Sequence, residues 1–245
     1  MDPSYTAEYE LFETKHWWHV VRLEIIHDAL DRYVTSPERT RWLDVGCGTG
    51  VLLDSYPRIA DRLGLELDAG SVERGRAKGL DIRRVEPRWD FREYGTFDLV
   101  TMCDVIEHVE KDDEAVVAVR DVLRPGGLVL VTVPALQGLW SAHDVRNHHY
   151  RRYDRTGLLA RFAPGEWDVL RASYFSSFLF PMIWSFRQVK NWRHGVDPAV
   201  APSDKKFGPP LVDAALREVF RAERRCLTWC NMPIGSSLIL VARRR

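Results

Sequence analysis

The sequence predicts an open, doubly wound α/β fold, and three observations carry that prediction. Short apolar runs alternate with stretches of helical periodicity from Arg41 onward, the pattern of a largely parallel sheet covered by helices. The run Leu43-Asp44-Val45 breaks into Gly46-Cys47-Gly48-Thr49-Gly50, a strand entering a turn whose glycines allow unusual dihedrals and close approach of a ligand. Glu66 adjoins the next apolar run about twenty residues after Gly46, where such a fold sets a carboxylate against ribose hydroxyls.

Length and composition fit one large domain. With 245 residues and 45% hydrophobic content the chain can bury a full core under a central sheet. Its 35 basic and 35 acidic residues cancel, which argues against binding nucleic acid by phosphate neutralisation. Four cysteines, at positions 47, 103, 226 and 230, form no CxxC pair and no zinc spacing, so free thiols in a reducing cytoplasm are expected. The start Met1-Asp2-Pro3-Ser4 is polar and acidic rather than a secretory signal, which also predicts a location inside the cell.

The elements follow in order. From Tyr5 to Val34, Leu11, Trp18, Val21, Ile25 and Leu30 recur at helical spacing and predict one or two helices before the sheet. The first strand ends at the glycine turn, and its helix runs from Val51 until Pro57 stops it. Gly64 to Asp68 reads as the second strand, with Asp68 or Ser71 capping the helix that follows, and Ile82 to Val85 as the third. Phe97 to Cys103 is the fourth. A helix over Asp113–Leu123 ends at Arg124-Pro125-Gly126-Gly127 and leads into a fifth strand, Leu128–Val133.

A helix near Thr156–Phe162 and a sixth strand, Trp167–Ser173, come next. Roughly sixty residues then separate them from the last strand, read at Ser236–Val241, which predicts an inserted helical cap. Phe175 to Phe186 is almost wholly apolar yet too short to cross a membrane. It stands as a pocket lid or a surface for a homodimer, as a core helix, or as an interfacial membrane helix flanked by Arg187, Lys190 and Arg193. Gly195–Pro210 reads as a loop, and Leu211–Cys230 as an amphipathic helix with Leu211, Ala215, Val219, Ala222 and Cys226 on one face.

Asp44-x-Gly46-x-Gly48-x-Gly50 resembles the acidic glycine motif of class I S-adenosylmethionine (SAM) dependent methyltransferases. A dinucleotide site would place its third glycine one residue later and aim a helix N-terminus at pyrophosphate, whereas this loop suits an uncharged link. Asp104-Val105-Ile106-Glu107-His108 and the Leu123-to-Gly127 turn resemble further landmarks of the same family. Trp140-Ser141-Ala142-His143-Asp144 and Arg151-Arg152-Tyr153 are similar to a subgroup associated with glycan, lipid or secondary-metabolite pathways. The resemblance implies a Rossmann-like, seven-stranded sheet, with residues 1–38 as a helical lid, 39–174 as the SAM-binding core, 175–235 as the cap insertion and 236–245 as the last strand. SAM would be the cofactor and S-adenosylhomocysteine its product. Cofactor contacts are implied for Trp18, Arg22, Asp44, Gly46, Cys47, Gly48, Gly50, Glu66, Leu67, Trp89, Asp90, Cys103, Asp104, Val105 and His108. Among these Arg22 would face the methionine carboxylate, and Trp89 and Asp90 the adenine.

The segment Pro134–Tyr153 leaves the carboxyl end of a central strand, where open α/β sheets bind ligands. Histidine suits proton removal near neutral pH, so His143 is the expected base, with Asp144 or His149 next; the alternative is that these side chains only hold the loop together. No metal site is expected, because Glu107 and His108 are adjacent and show no third ligand. The function expected is SAM-dependent methylation of a small molecule, with oxygen favoured by the histidine. N-methylation of a small amine is the alternative, although Pro134-Ala135-Leu136 lacks the Asn/Asp-Pro-Pro-aromatic signature of many N-methyltransferases. Rivals from other classes are a non-catalytic SAM-binding protein that engages a partner and a nicotinamide-dependent oxidoreductase.

Overall fold

In the computed structural model the described residues are 12–197, 199 and 208–245. Seven strands form one sheet in the order β3-β2-β1-β4-β5-β7-β6. β1 (Arg41–Val45) is an interior strand and pairs in parallel with β2 (Asp61–Glu66) and with the central β4 (Phe97–Cys103), so that Leu43 stands between Leu63 and Val100. β3 (Ile82–Arg84) extends one edge, and β5 (Leu123–Pro134) continues the other. β7 (Ser237–Arg244) inserts antiparallel between β5 and β6 (Trp167–Phe175). Both faces of the central strands are buried, which is why they read as continuous Val, Leu and Ile runs.

Consecutive strands run to one edge, where β1 and β4, neighbours in space, send their chains to opposite sides. That divergence opens the crevice in which doubly wound sheets bind ligands. α1 (Trp17–Tyr33) buries Val21, Ile25, Ile26, Ala29 and Leu30 and lies against α8 (Pro210–Leu227). A four-residue ion lattice locks the two helices: Arg221 Nη2 reaches Glu24 at 2.7 Å, and Arg224 reaches Glu24 at 2.8 Å and Asp28 at 2.6 Å.

Several boundaries shift. β2 stops at Glu66, because Asp68 accepts the Ser71 amide at 2.9 Å and caps α3 (Ala69–Ala77), which takes Leu67 and Asp68 out of the strand. β5 begins at Leu123, and the turn read at Arg124–Gly127 is an irregularity within it, where register with β4 slips between Phe97 and Leu99. β6 extends through Phe175, so the apolar stretch contributes first to a strand and then to α7 (Phe180–His194). The buried face of α8 is Phe220, Glu223 and Leu227 with Leu216 packed beside them; Leu211 is 86% exposed and Val219 is exposed too. The amphipathic pattern is real but rotated, because the fully buried Glu223 accepts the Ser177 and Phe178 amides at 2.7 and 2.8 Å and turns that face inward.

α7 is not a core helix: Lys190 is its buried residue, whereas Phe186, Val189 and Trp192 are exposed. Its other side rests on the turn after β5, where Asn191 donates to the Trp140 carbonyl at 2.7 Å and Gln188 to that of Gly138 at 2.9 Å. Among the described residues no helix is long and apolar enough to cross a membrane. The helical reading over Tyr5–Leu11 and most of the loop read between Gly195 and Pro210 lie outside the described residues.

Candidate active site

The glycine loop is shaped by two close approaches. Gly46 has φ +68°, and a Cβ there would meet Val105 Cγ2 at 2.7 Å, so a residue just beyond β4 packs where any side chain would stand. Gly48 has φ +56° but nothing within 4 Å of an added Cβ; the backbone is left-handed and its face open. The Gly46 and Cys47 amides both donate to the Leu65 carbonyl, at 2.8 and 3.1 Å. Glu66 completes the attachment by accepting the Gly48 amide at 2.8 Å on one oxygen and the Leu67 and Asp68 amides at 2.8 and 2.9 Å on the other.

Two more carboxylates stand beside the loop. Asp44 is buried and accepts the Thr101 hydroxyl at 2.5 Å, and Thr101 in turn accepts the Trp42 indole N–H at 2.8 Å. Burial pushes the Asp44 carboxyl up to about 7, and the Thr101 hydrogen bond opposes that rise. Asp104 has φ +59° and bridges to Arg22 at 2.8 Å; Arg22 also donates to Thr132 Oγ1 at 3.0 Å. Burial also raises the Cys47 and Cys103 thiols, the latter to about 12, so neither is a nucleophile at neutral pH.

Opposite the loop lies a corner of imidazoles and carboxyls. Asp144 is wholly buried in the capping box of α5 (Ala142–Arg146), where its side chain accepts the Ser141 amide at 2.9 Å. Its oxygens also face Arg152 at 2.7 Å, His149 Nδ1 at 3.0 Å and Arg187 of α7 at 3.3 Å. These partners hold its carboxyl well below the usual range against the opposing effect of burial. His108 stands edge-on to His149 with ring centroids 4.6 Å apart, and burial lowers it to about 4. Glu107 is fully buried, and burial followed by the nearby Asp104 charge raises its carboxyl well above the ordinary range.

Loop and corner face each other across one cavity of about 1180 Å³, walled further by Trp17 and Trp18 of α1 and by Met182, Ile183 and Phe186 of α7. Its volume and apolar walls suit a nucleoside cofactor with a second small molecule beside it.

A family model described as a methyltransferase domain matches residues 17–169. The chain belongs to the class I SAM-dependent methyltransferases. Among curated relatives, the ubiquinone biosynthesis O-methyltransferase of Roseobacter denitrificans is 30% identical over 154 residues, covering 52% of this chain and 62% of the relative. That of Cupriavidus pinatubonensis is 30% identical over 182 residues, covering 60% and 70%. The chain therefore spans about three fifths of the first relative's length. Two solved SAM-dependent methyltransferases share the fold. One, from Mesorhizobium loti, is 17% identical with a TM-score of 0.56 over 88% of this chain and 96% of its own. The other, from Archaeoglobus fulgidus, is 16% identical with a TM-score of 0.54 over 96% and 99%.

This methyltransferase fold gathers most of the residues singled out from sequence. Trp18, Arg22, Asp44, Gly46, Cys47, Gly48, Glu66, Cys103, Asp104, His108, His143 and His149 all line the cavity. Gly50, with φ +77°, caps α2 (Val51–Ser55) behind the loop, and Val105 supports Gly46. Leu67 projects outward beyond β2.

Trp89 and Asp90 stand elsewhere. They line a separate depression of about 320 Å³ with Asp113 and Asp121, because buried Phe91 anchors the loop there and Trp89 packs edge-on against it at 5.9 Å. Asp90 is paired with Arg92 at 2.8 Å. Neither lines the large cavity.

The density of polar side chains over 140–153 proves to be partly scaffold. Arg152 serves Asp144, while Arg151 and the Tyr153 hydroxyl serve Asp112 at 3.0 and 2.6 Å. His143 Nε2 faces the Asn147 amide nitrogen at 3.0 Å, so its ring is engaged within α5 and its capping residue. Asp144 lies behind His149 and not on the cavity. Sequence reasoning weighed Glu107 only as a metal ligand and set it aside, and met Arg187 only as a flank of the apolar stretch; both line the cavity. Glu107 and His108 share a short 3-10 turn rather than a helix, and His149 approaches them from a distant loop as a third potential ligand.

Proposed function

We propose that this methyltransferase moves the SAM methyl group to a hydroxyl of a small aromatic or apolar molecule, set against the His149 corner where the hydroxyl gives up its proton. The observation that carries the reading is His149, backed by Asp144 at 3.0 Å, on the cavity that the glycine loop shares. With Nδ1 turned to a buried carboxylate, His149 keeps Nε2 as its lone-pair nitrogen, the tautomer suited to a leaving proton. SAM supplies an electrophilic methyl: a carbon–oxygen bond forms as the carbon–sulfur bond breaks, and the sulfur keeps the electron pair in S-adenosylhomocysteine.

The protein's own contribution is placement and dryness. Glu66 accepts hydrogen bonds where the ribose belongs, and Arg22 stands beside the β4 terminus as a cation for a carboxylate. Trp17, Trp18 and Phe186 exclude water and offer faces to an apolar acceptor. The curated relatives named as O-methyltransferases support oxygen as the atom methylated.

The deciding experiment incubates the protein with SAM and separate panels of phenols and amino sugars, reading S-adenosylhomocysteine and methylated product by mass spectrometry. O-methylated phenol is expected. Methylation confined to amines overturns the oxygen assignment, and SAM binding without product from either panel supports the non-catalytic alternative.

A further inference from the structure

Glu107 is the anomaly of this cavity. Its side chain has no exposed surface, and neither carboxylate oxygen has a hydrogen-bond partner among the described residues. A buried polar group left in that state costs several kcal/mol or so relative to a satisfied one, more when charged. Structures keep such groups where something else satisfies them.

We propose that Glu107, His108 and His149 form a binding site for a divalent first-row metal cation, with zinc the best match to the donors. One oxygen and two imidazole nitrogens from these residues lie within 4.8 Å of one another. Closing those separations to about 3.4 Å, the edge of a tetrahedron with ~2.1 Å metal–ligand bonds, takes rotamer-scale motion. Two nitrogens with one carboxylate favour zinc, cobalt, iron or manganese over calcium and magnesium, which select all-oxygen shells.

The surroundings are built for ligation. His149 is held through Nδ1 by Asp144, the carboxylate–histidine arrangement that orients metal-bound imidazoles and makes them better donors. His108 has a hydrogen bond to the Asn147 backbone. The nearby cations are directed elsewhere: Arg152 and Arg187 pair with Asp144, and Arg22 with Asp104. A cation here would satisfy Glu107 and keep its remaining coordination positions toward the cavity, since all three donors line it. With a cation bound, His149 Nε2 would be its ligand rather than the base, and a hydroxyl entering such a position would be acidified by the metal's charge and lose its proton to solvent. That consequence rests on the methyl-transfer reading; the cation site itself does not.

The test uses tag-free protein stripped with a chelator and dialysed. Calorimetric titration with Zn2+ and visible absorption on adding Co2+ should each show one equivalent bound, and the thermal midpoint should rise with Zn2+. Glu107→Gln, His108→Ala and His149→Ala should each weaken uptake at least tenfold and abolish the Co2+ spectrum. If a variant fails to fold, the wild-type stoichiometry and the Co2+ ligand-field spectrum decide. Absence of saturable uptake by the wild type, or uptake unchanged in the variants, overturns the site. SAM titration and product assay of the same stripped and loaded samples separate the two readings. SAM binding without cation uptake removes the cation site alone, whereas cation uptake without SAM binding or product removes methyl transfer and keeps the site.

Discussion

The Glu66 carboxylate accepts the Gly48 amide at 2.8 Å and so closes the glycine loop onto the end of β2. Its second oxygen takes the amides of Leu67 and Asp68, at 2.8 and 2.9 Å. One side chain thus fixes the loop's shape and lines the cavity, where the proposed methyl transfer would have it accept from a ribose diol as well. The two tasks compete for the same lone pairs, and that competition makes the position intolerant of its own amide.

Glu66→Gln is therefore expected to weaken SAM binding as much as Glu66→Ala, because the new NH2 group faces backbone donors that need an acceptor. Loss of one or two charge-assisted hydrogen bonds corresponds to about 2–4 kcal/mol, or more than tenfold in affinity. Calorimetric titration with SAM measures it; an unchanged affinity in both variants would overturn the ribose assignment.

Asp44 gives the ligand-free protein a pH dependence of known sign. Its folded value of about 7 lies above the ordinary carboxyl range, so between the two the folded state holds a proton that the unfolded state has lost. Stability should fall as pH rises from 4 to 7, by on the order of 3 kcal/mol from this group. Asp44→Asn, which keeps an oxygen for Thr101, should flatten that slope in urea melts at a series of pH values. SAM, a cation, favours the ionised form, so wild-type affinity relative to Asp44→Asn should rise from pH 6 to 8.

Asp144→Asn tests the buried hub. Arg152 and Asp144 are both buried, and Arg187 depends on the same carboxylate. Removing its charge leaves uncompensated guanidinium and is expected to destabilise the protein by about 3–5 kcal/mol, read as a lower thermal midpoint. Asp144 does not line the cavity, so SAM affinity at low temperature should hold while turnover drops as His149 loses its orientation.

His149→Ala and His143→Ala separate the two imidazoles. With His143 engaged by Asn147 at 3.0 Å, its replacement should lower turnover by about tenfold or less, whereas His149→Ala should cost 10²–10⁴-fold or so. SAM affinity should change little in either. The reverse order in steady-state kinetics would return the leading role to His143.

The doubly wound fold and the gathering of the glycine loop, Glu66 and Asp104 on one cavity were largely legible. The glycine loop, Glu66 and Asp104 lie at the ends of β1, β2 and β4, which run in parallel, so all of them must emerge at one edge of the sheet. Trp89 and Asp90 fall outside that cavity: they lie several residues beyond the end of β3, and buried Phe91 draws their loop toward α4 (Asp112–Val122). α8 failed in phase, since nothing local announces that Glu223 will be buried to receive two amides of another segment.

By itself the sequence determined a doubly wound α/β chain with a SAM loop, because strand periodicity, glycine spacing and a carboxylate at a set distance are local patterns that the backbone obeys wherever it packs. Only the tertiary structure decided which polar side chains meet. His149 joins Glu107 and His108, and Asp144 stands behind His149 rather than on the cavity, through loops whose separation along the chain carries no periodic signal. Burial was decided there too, and burial is what raises the Asp44 and Glu107 carboxyls while paired arginines lower that of Asp144.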